Sequence, residues 1–367
     1  MNIRAAIEKL IHLKNPGMAV QLLLLPLTLC SYAYSAVMRA RAWFYKACIF
    51  ESFAIPCRVI AVGNITVGGT GKTPTVCLLA RSLHEKGFKV AVVSRGYRGA
   101  ATAVPHIVSD GTQVLASAVD AGDEAVMLAR KLSGIPVLAC RDRVAAGKLA
   151  CERFGADIVL LDDGFQHLRL RRDLDVVLVN AVDPFGNGCL LPRGILREPP
   201  AALGRAGIIV LTKAGIDGAA PPLAESIKKL NPEASFFTAS FRVACLRSIG
   251  TGKIVPAERL SGVRVAALCS IGDPASFIAM LSQLGMHVSD KLVYPDHHGY
   301  GAADYAAIRD VSARVDAVVT TEKDIAKLNT GMLQLDNLIV MEIEQVIEPA
   351  RRFINDVITR SGLRLTV

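Results

Sequence analysis

The chain has 367 residues, 51% hydrophobic and 20% charged, with a formal net charge of +9; this excludes a disordered chain and gives enough length for two domains. The positive balance calls for an anionic partner, but aromatics are only 5% and do not interleave with basic residues, so no nucleic acid partner is expected. Nine cysteines stand singly with no CxxC pair, which argues against a disulfide framework or a zinc site and fits a reducing cytosol.

The first element is apolar. No charged residue occurs from 16 to 38, and 19–29 reads AVQLLLLPLTL. About twenty such residues can cross a bilayer as a helix. Gln21 and Pro26 weaken that reading, so a helix lying in the cytoplasmic leaflet fits as well, and a buried core helix is a third reading. Arg4, Lys9 and Lys14 precede the segment and Arg39, Arg41 and Lys46 follow it, which gives no orientation. A small-residue cleavage site is lacking, so a cleaved signal is not expected. Residues 1–45 are read as a membrane-associated helical segment.

After it, short β-branched runs alternate with helical patterns, the mark of a parallel sheet covered by helices. Strands are expected at 58–62, 90–94, 135–139, 158–161, 176–179 and 208–211, with helices at 73–85, 124–132, 144–154 and 222–230. A second series follows, with strands at 263–268, 287–293, 317–320 and 338–341 and helices at 274–284, 302–312 and 349–360. The expected architecture is a P-loop doubly wound parallel α/β sheet over 46–239, a smaller α/β lobe over 240–367, and ligands at the carboxyl ends of the strands.

The segment CRVIAVGNITVGGTGKTPTV leads from a strand through a glycine-rich turn into a helix, the context of a phosphate loop. Thr66, Val67, Gly68, Gly69, Thr70, Gly71, Lys72 and Thr73 form the expected nucleotide cradle. Lys72 would reach the β and γ phosphates and the Thr73 hydroxyl would hold Mg²⁺. One position departs from the usual pattern: Thr66 stands where glycine is customary. Downstream, IVLLDD is a buried strand delivering Asp162 and Asp163 at its end, as a magnesium site requires, although alone it also reads as an ordinary strand-end turn.

A GTPase switch would need an acid after Asn or Thr, Lys and one variable residue. The stretch 208–215, IIVLTKAG, has Gly215 there instead, so the guanine contact is missing. A kinase needs a base for its acceptor hydroxyl, and Asp123 and Glu124 in AGDEAVML are paired acids at a helix start that serve equally as helix caps. The stretch 294–300, YPDHHGY, gathers titratable groups in a turn that reads either as site or as exposed loop.

Together these stretches, with SRGYRG, GDEA, DDGFQH, LLPRGILREP, PDHHGY and TTEKDIAKL, resemble the tetraacyldisaccharide 4'-kinase family across nearly the whole chain. The resemblance implies transfer of the ATP γ-phosphate to the 4'-hydroxyl of an acylated glucosamine disaccharide 1-phosphate, forming lipid IVA in lipid A biosynthesis at the cytoplasmic face of the inner membrane. It implies Asp123 as the base, with His297, which directly follows the Asp of its motif, orienting it or raising its basicity; His298 of the same doublet is the alternative. Glu124, Asp162, Asp163 and Thr73 would serve the metal, and Arg197 and Glu198 would line the cleft for the lipid. ATP and Mg²⁺ are the implied cofactors, the acylated disaccharide and the membrane surface the implied partners; protein partners are unknown from sequence. A membrane-tethered P-loop switch and a cytosolic small-molecule kinase are the competing readings.

Overall fold

The computed structural model describes residues 17–96, 104–214, 220–296 and 298–364. Two helices come first, α1 (Met18–Leu23) and α2 (Leu25–Lys46). Pro26 sits in the first turn of α2, where its missing N–H costs nothing. The first strand group then begins with β1 (Arg58–Asn64), α3 (Lys72–Glu85), β2 (Val90–Ser94) and β3 (His106–Ser109). It continues through α4 (Asp123–Lys131), β4 (Val137–Ala139), α5 (Arg143–Phe154), β5 (Ile158–Asp162), β6 (Leu174–Asn180) and β7 (Ile208–Thr212). Helix α6 (Ala220–Leu230) leads to the long β8 (Ser235–Ser248) and the short β9 (Ile254–Val255). The second group is β10 (Arg264–Cys269), α7 (Pro274–Gln283), β11 (His287–Val293), α8 (Ala302–Ser312), β12 (Ala317–Thr321) and α9 (Glu322–Ile325), closed by β13 (Leu338–Glu348) and α10 (Ala350–Arg360).

One sheet joins both groups in the order β11-β10-β12-β13-β8-β7-β6-β1-β5-β2-β4-β3, with β9 on β8. Most neighbours are parallel, and β1 lies between β5 and β6, so its end is a switch point where a ligand crevice opens. The strands around β1 are buried on both faces, which explains their unbroken Val, Ile and Leu runs. Helices α3 and α4 cover one face and α5 the other, each over its own apolar cluster.

The junction between the groups is a ribbon. β8 and β13 run antiparallel from Thr238↔Glu348 to Ser248↔Ile339, with a bulge at Glu342/Ile343. The start of β8 pairs with β7 and the start of β13 pairs with β12, so each strand belongs to one group at one end. The division expected at 239/240 therefore falls inside β8. Helix α10 returns to the first group, where Phe353 meets Phe237 edge-on with ring centroids 5.2 Å apart.

Helix α2 shows two faces. Ser31, Tyr34 and Arg41 donate hydrogen bonds to carbonyls of Leu190, Arg197 and Gln166 at 2.7, 3.1 and 2.9 Å. On the opposite face Leu25, Leu29 and Tyr32 are exposed, continued by Leu22 and Leu23 of α1. The spacing of three and four residues on each side gives both faces from one sequence. Among the described residues no helix is long and apolar enough to cross a membrane. Arg4, Lys9 and Lys14 lie outside the described residues.

Candidate active site

A cleft of about 1080 Å³ lies between the phosphate loop, the β5 end, α2 and the second strand group. Every expected loop residue from Val67 to Thr73 lines it. Gly68 and Gly71 have φ of 109° and 86°, values that an L side chain resists, and no atom would meet a Cβ at Gly68 within 4 Å, so the backbone there is open to a ligand. Gly71 precedes the first turn of α3, whose unpaired N–H groups form an anion site. Asn64 Nδ2 donates to Thr70 Oγ1 at 2.9 Å and holds the loop from beneath.

Thr66 takes a different part. It is buried and forms a bridge with Leu196, flanked by Val67 N to Ile195 O and Arg197 N to Ile65 O, both 2.8 Å. A residue in extended pairing needs no positive φ, which is why threonine stands where glycine is usual. The same pairing carries Arg197 to the cleft.

The two aspartates diverge. Asp162 ends β5 with 2% exposure, and burial, helped by Glu124 and Asp163, pushes its carboxyl up to about 7 despite Lys72 and Arg143. Its Oδ1 has no partner. Asp163, at φ 54°, takes Arg197 Nη1 on both oxygens at 2.9 and 2.8 Å, with Lys72 Nζ at 3.6 Å. Burial opposes its ionisation, but Lys72 and Arg197 prevail and hold it below the usual range. An orphaned buried carboxylate oxygen in a cleft that Glu124 and Thr73 also line fits a magnesium ion. Among the described residues no three such side chains form a ligand set. Magnesium tolerates that, because it takes much of its shell from phosphate and water oxygens.

Glu124 lines the cleft on α4, whereas Asp123, heading the same helix, is half-buried and not among the lining residues. Glu198 lies beneath the surface: it is 3% exposed, bonded by Gln166 Nε2 at 3.0 Å and paired with Arg205 at 2.9 Å. Arg205 in turn stacks 4.3 Å over Phe165. Glu198 thus braces the DDGFQH turn from below while its neighbour Arg197 faces the opening.

His297 lies outside the described residues, as do 97–99 of the SRGYRG stretch and Gly215. His298 is engaged within its own lobe, its Nε2 2.9 Å from Asp304 Oδ2 and its ring stacked on Tyr294 at 4.6 Å. Its neighbour Asp296 lines the cleft and pairs with Lys323 at 2.8 Å.

Sequence reasoning missed several cleft groups. Arg143 is almost wholly buried, donates to the Asp162 carbonyl at 3.2 Å and is driven down to about 10 by that burial. His167 is pushed down to about 4, first by burial and then by Arg143, so it is neutral at working pH. Glu322 accepts from Lys131 at 2.6 Å, and Asp273 pairs with Lys213. The motifs DDGFQH and TTEKD carried the signal for His167 and Glu322, but only the folded geometry shows what these side chains meet.

The chain matches the family model described as tetraacyldisaccharide-1-P 4'-kinase over residues 20–360. It is 40% identical over 363 residues to the tetraacyldisaccharide 4'-kinase of Syntrophus aciditrophicus, covering 96% of this chain and 97% of that one. It is 41% identical over 317 residues to that of Geobacter metallireducens, covering 86% and 91%. The fold is similar to the crystal structure of LpxK from Aquifex aeolicus in complex with ATP, with a TM-score of 0.71, 29% identity, and 92% and 98% of the two chains covered. With both the phosphate-loop cleft and these whole-length matches in agreement, the chain belongs to the tetraacyldisaccharide-1-P 4'-kinase family.

Proposed function

We propose that the chain transfers the γ-phosphate of ATP to the 4'-hydroxyl of a tetraacyl disaccharide 1-phosphate. The observation that carries this reading is one cleft that joins a phosphate loop, a buried acidic pair and the inner face of α2. A switch needs no acceptor chamber reaching to Tyr34 and Met38, so that alternative is not favoured.

The loop amides and Lys72 would bind the β and γ phosphates, replacing the weak contact of Lys72 with Asp163. Thr73, Glu124 and Asp162 would hold Mg²⁺, with Asp163 setting the local charge through Lys72 and Arg197; bound there, the metal supplies charge neutralisation. Asp123 is assigned as the base and His297 as its orienting partner, an assignment that rests on the family resemblance. Arg197 would receive the anionic substrate, and Glu198 would hold Arg197's strand in place. The strand groups on either side of the β8/β13 ribbon, which follow the expected 46–239 and 240–367 division except that α10 packs with the first, would act as two lobes hinged there, excluding water as they meet.

The exposed apolar face of α1 and α2 would lie in the cytoplasmic leaflet of the inner membrane and bring the lipid headgroup to Tyr34. Incubation with γ-labelled ATP, Mg²⁺ and the acylated disaccharide tests the core claim: label on the sugar is expected, and hydrolysis to free phosphate alone would refute it. Asp123→Asn should cut kcat by about a hundredfold or more with nucleotide affinity kept. If instead only Glu124→Gln did so, the base would be reassigned to the cleft-lining acid.

A further inference from the structure

The phosphate loop is gripped from behind by the inter-lobe ribbon. Phe241 on β8 and Gln345 on β13 face each other in register, and both press on Gly71. A Cβ there would lie 2.8 Å from Phe241 Cζ and 3.2 Å from Gln345 Nε2. The same glutamine touches the first turn of α3. The Thr75 hydroxyl contacts Gln345 Oε1 and, at 2.9 Å, the Gly71 carbonyl, while the buried Gln345 Nε2 has no partner.

A hydroxyl has one proton and cannot donate to two acceptors. Turning the amide over satisfies both donors: Gln345 N–H donates to Thr75 Oγ1, and Thr75 O–H donates to the Gly71 carbonyl. The result is a short relay from a hinge strand, through one helix turn, to the glycine whose φ of 86° aims the loop amides. Gln345 is 4% exposed and does not line the cleft, so it acts on the nucleotide only through the loop.

We propose that Gln345 is a positioning residue for nucleotide binding, holding the Gly71 turn in its phosphate-accepting form and coupling occupancy of the loop to the β8/β13 ribbon. This rests on the ATP-dependent reading above. The ribbon strands are shared by both groups, so a shift in their relation moves Gln345 against Thr75. Conversely, a phosphate that fixes the Gly71 turn fixes the ribbon.

The test compares full-length wild type with Gln345→Met, which keeps length and apolar contact without a donor, and with Thr75→Val and Thr75→Ser. KM for Mg²⁺-ATP, KM for the acylated disaccharide and kcat are measured, with Mg²⁺-ATP affinity by calorimetry and melting curves alongside. Gln345→Met and Thr75→Val should each raise the KM and Kd for ATP about tenfold, the worth of one buried hydrogen bond, with the disaccharide KM unchanged. Thr75→Ser should restore wild-type values, and the double variant Gln345→Met/Thr75→Val should be no worse than either single one, because both break one relay. A lowered melting temperature with ATP parameters unchanged in the folded enzyme overturns the proposal, and so does strict additivity. Should Gln345→Met not fold, the serine and valine variants at 75 still decide. Failure of the wild type to label the sugar would strike the kinase reading instead.

Discussion

Asp162 shows how a single residue stores the cost of a site. Its carboxyl stands at about 7 in the fold against 3.8 ordinarily. Between those values the folded chain keeps a proton that the unfolded chain has released, so this residue's contribution makes stability fall as pH rises through that window and level off above it. Asp162→Asn keeps the shape and removes the charge. At pH 8 it is expected to stabilise the ligand-free protein by at least about 1 kcal/mol while abolishing Mg²⁺-dependent transfer, read by melting curves and the labelled-sugar assay. A drop in stability at pH 8 would show that the ionised acid is already compensated. Lys72 behaves in the opposite sense: its contact with Asp163 is long at 3.6 Å, so Lys72→Met should cost little stability yet raise the ATP KM by about a hundredfold.

Elements were legible to the degree that their periodicity was uniform. β2, β11 and α8 fall on the residues expected, because a doubly buried strand, an edge strand that alternates exposed and half-buried residues, and an amphipathic helix each repeat one pattern from end to end. The expected division at 239/240, by contrast, falls inside β8. Its middle, TASFRVACLR, alternates exposed residues with half-buried ones, only Ala239 and Leu246 being fully buried, and carries no Gly, Pro, Asn or Asp, since a two-stranded ribbon has neither a core on both faces nor a bend. Among the site residues, the phosphate loop and the acidic pair were readable as local patterns. Arg143, Glu322 and Gln345 were not, because each acts across 19 residues or more of chain, toward Asp162, Lys131 and Thr75. Thr66 marks the limit of pattern matching: its departure from glycine follows from pairing with Leu196. Thr66→Gly, which restores the customary motif, should therefore lower stability by about 1 kcal/mol without tightening ATP binding. Chemical denaturation and nucleotide titration check it. Helix α2 makes a parallel case, since its outer face bears on location and its inner face on the cleft. Leu25→Ser with Leu29→Ser should shift the protein from sedimenting vesicles to the supernatant, while kcat on detergent-dispersed substrate stays within about twofold.

At the scale of the molecule, two groups of strands share one sheet through β8 and β13 and are tied again by side chains on either side of the cleft. Lys131 at the end of α4 meets Glu322 at the start of α9, and Lys213 after β7 meets Asp273 at the cap of α7. Both ties are half-buried or better, which lifts them above ordinary surface pairs. The first links the very helix that begins with Asp123 and Glu124 to the second lobe, and Glu322 also accepts from Ile343 N on the ribbon. The lobe arrangement should then set where those acids stand. Lys131→Glu and Glu322→Lys are each expected to lower kcat at least about tenfold and to enlarge the ligand-free radius of gyration in solution scattering. Lys131 also lines the cleft, so a loss in one single variant would not separate a tie between lobes from a contact with substrate. The charge-swapped double variant does separate them. A tie is indifferent to which partner carries which sign, so activity and radius should return most of the way to wild type. A substrate contact would leave the double variant as impaired as Lys131→Glu alone, and the geometry of α4 would then have to be held by the ribbon without help from this pair.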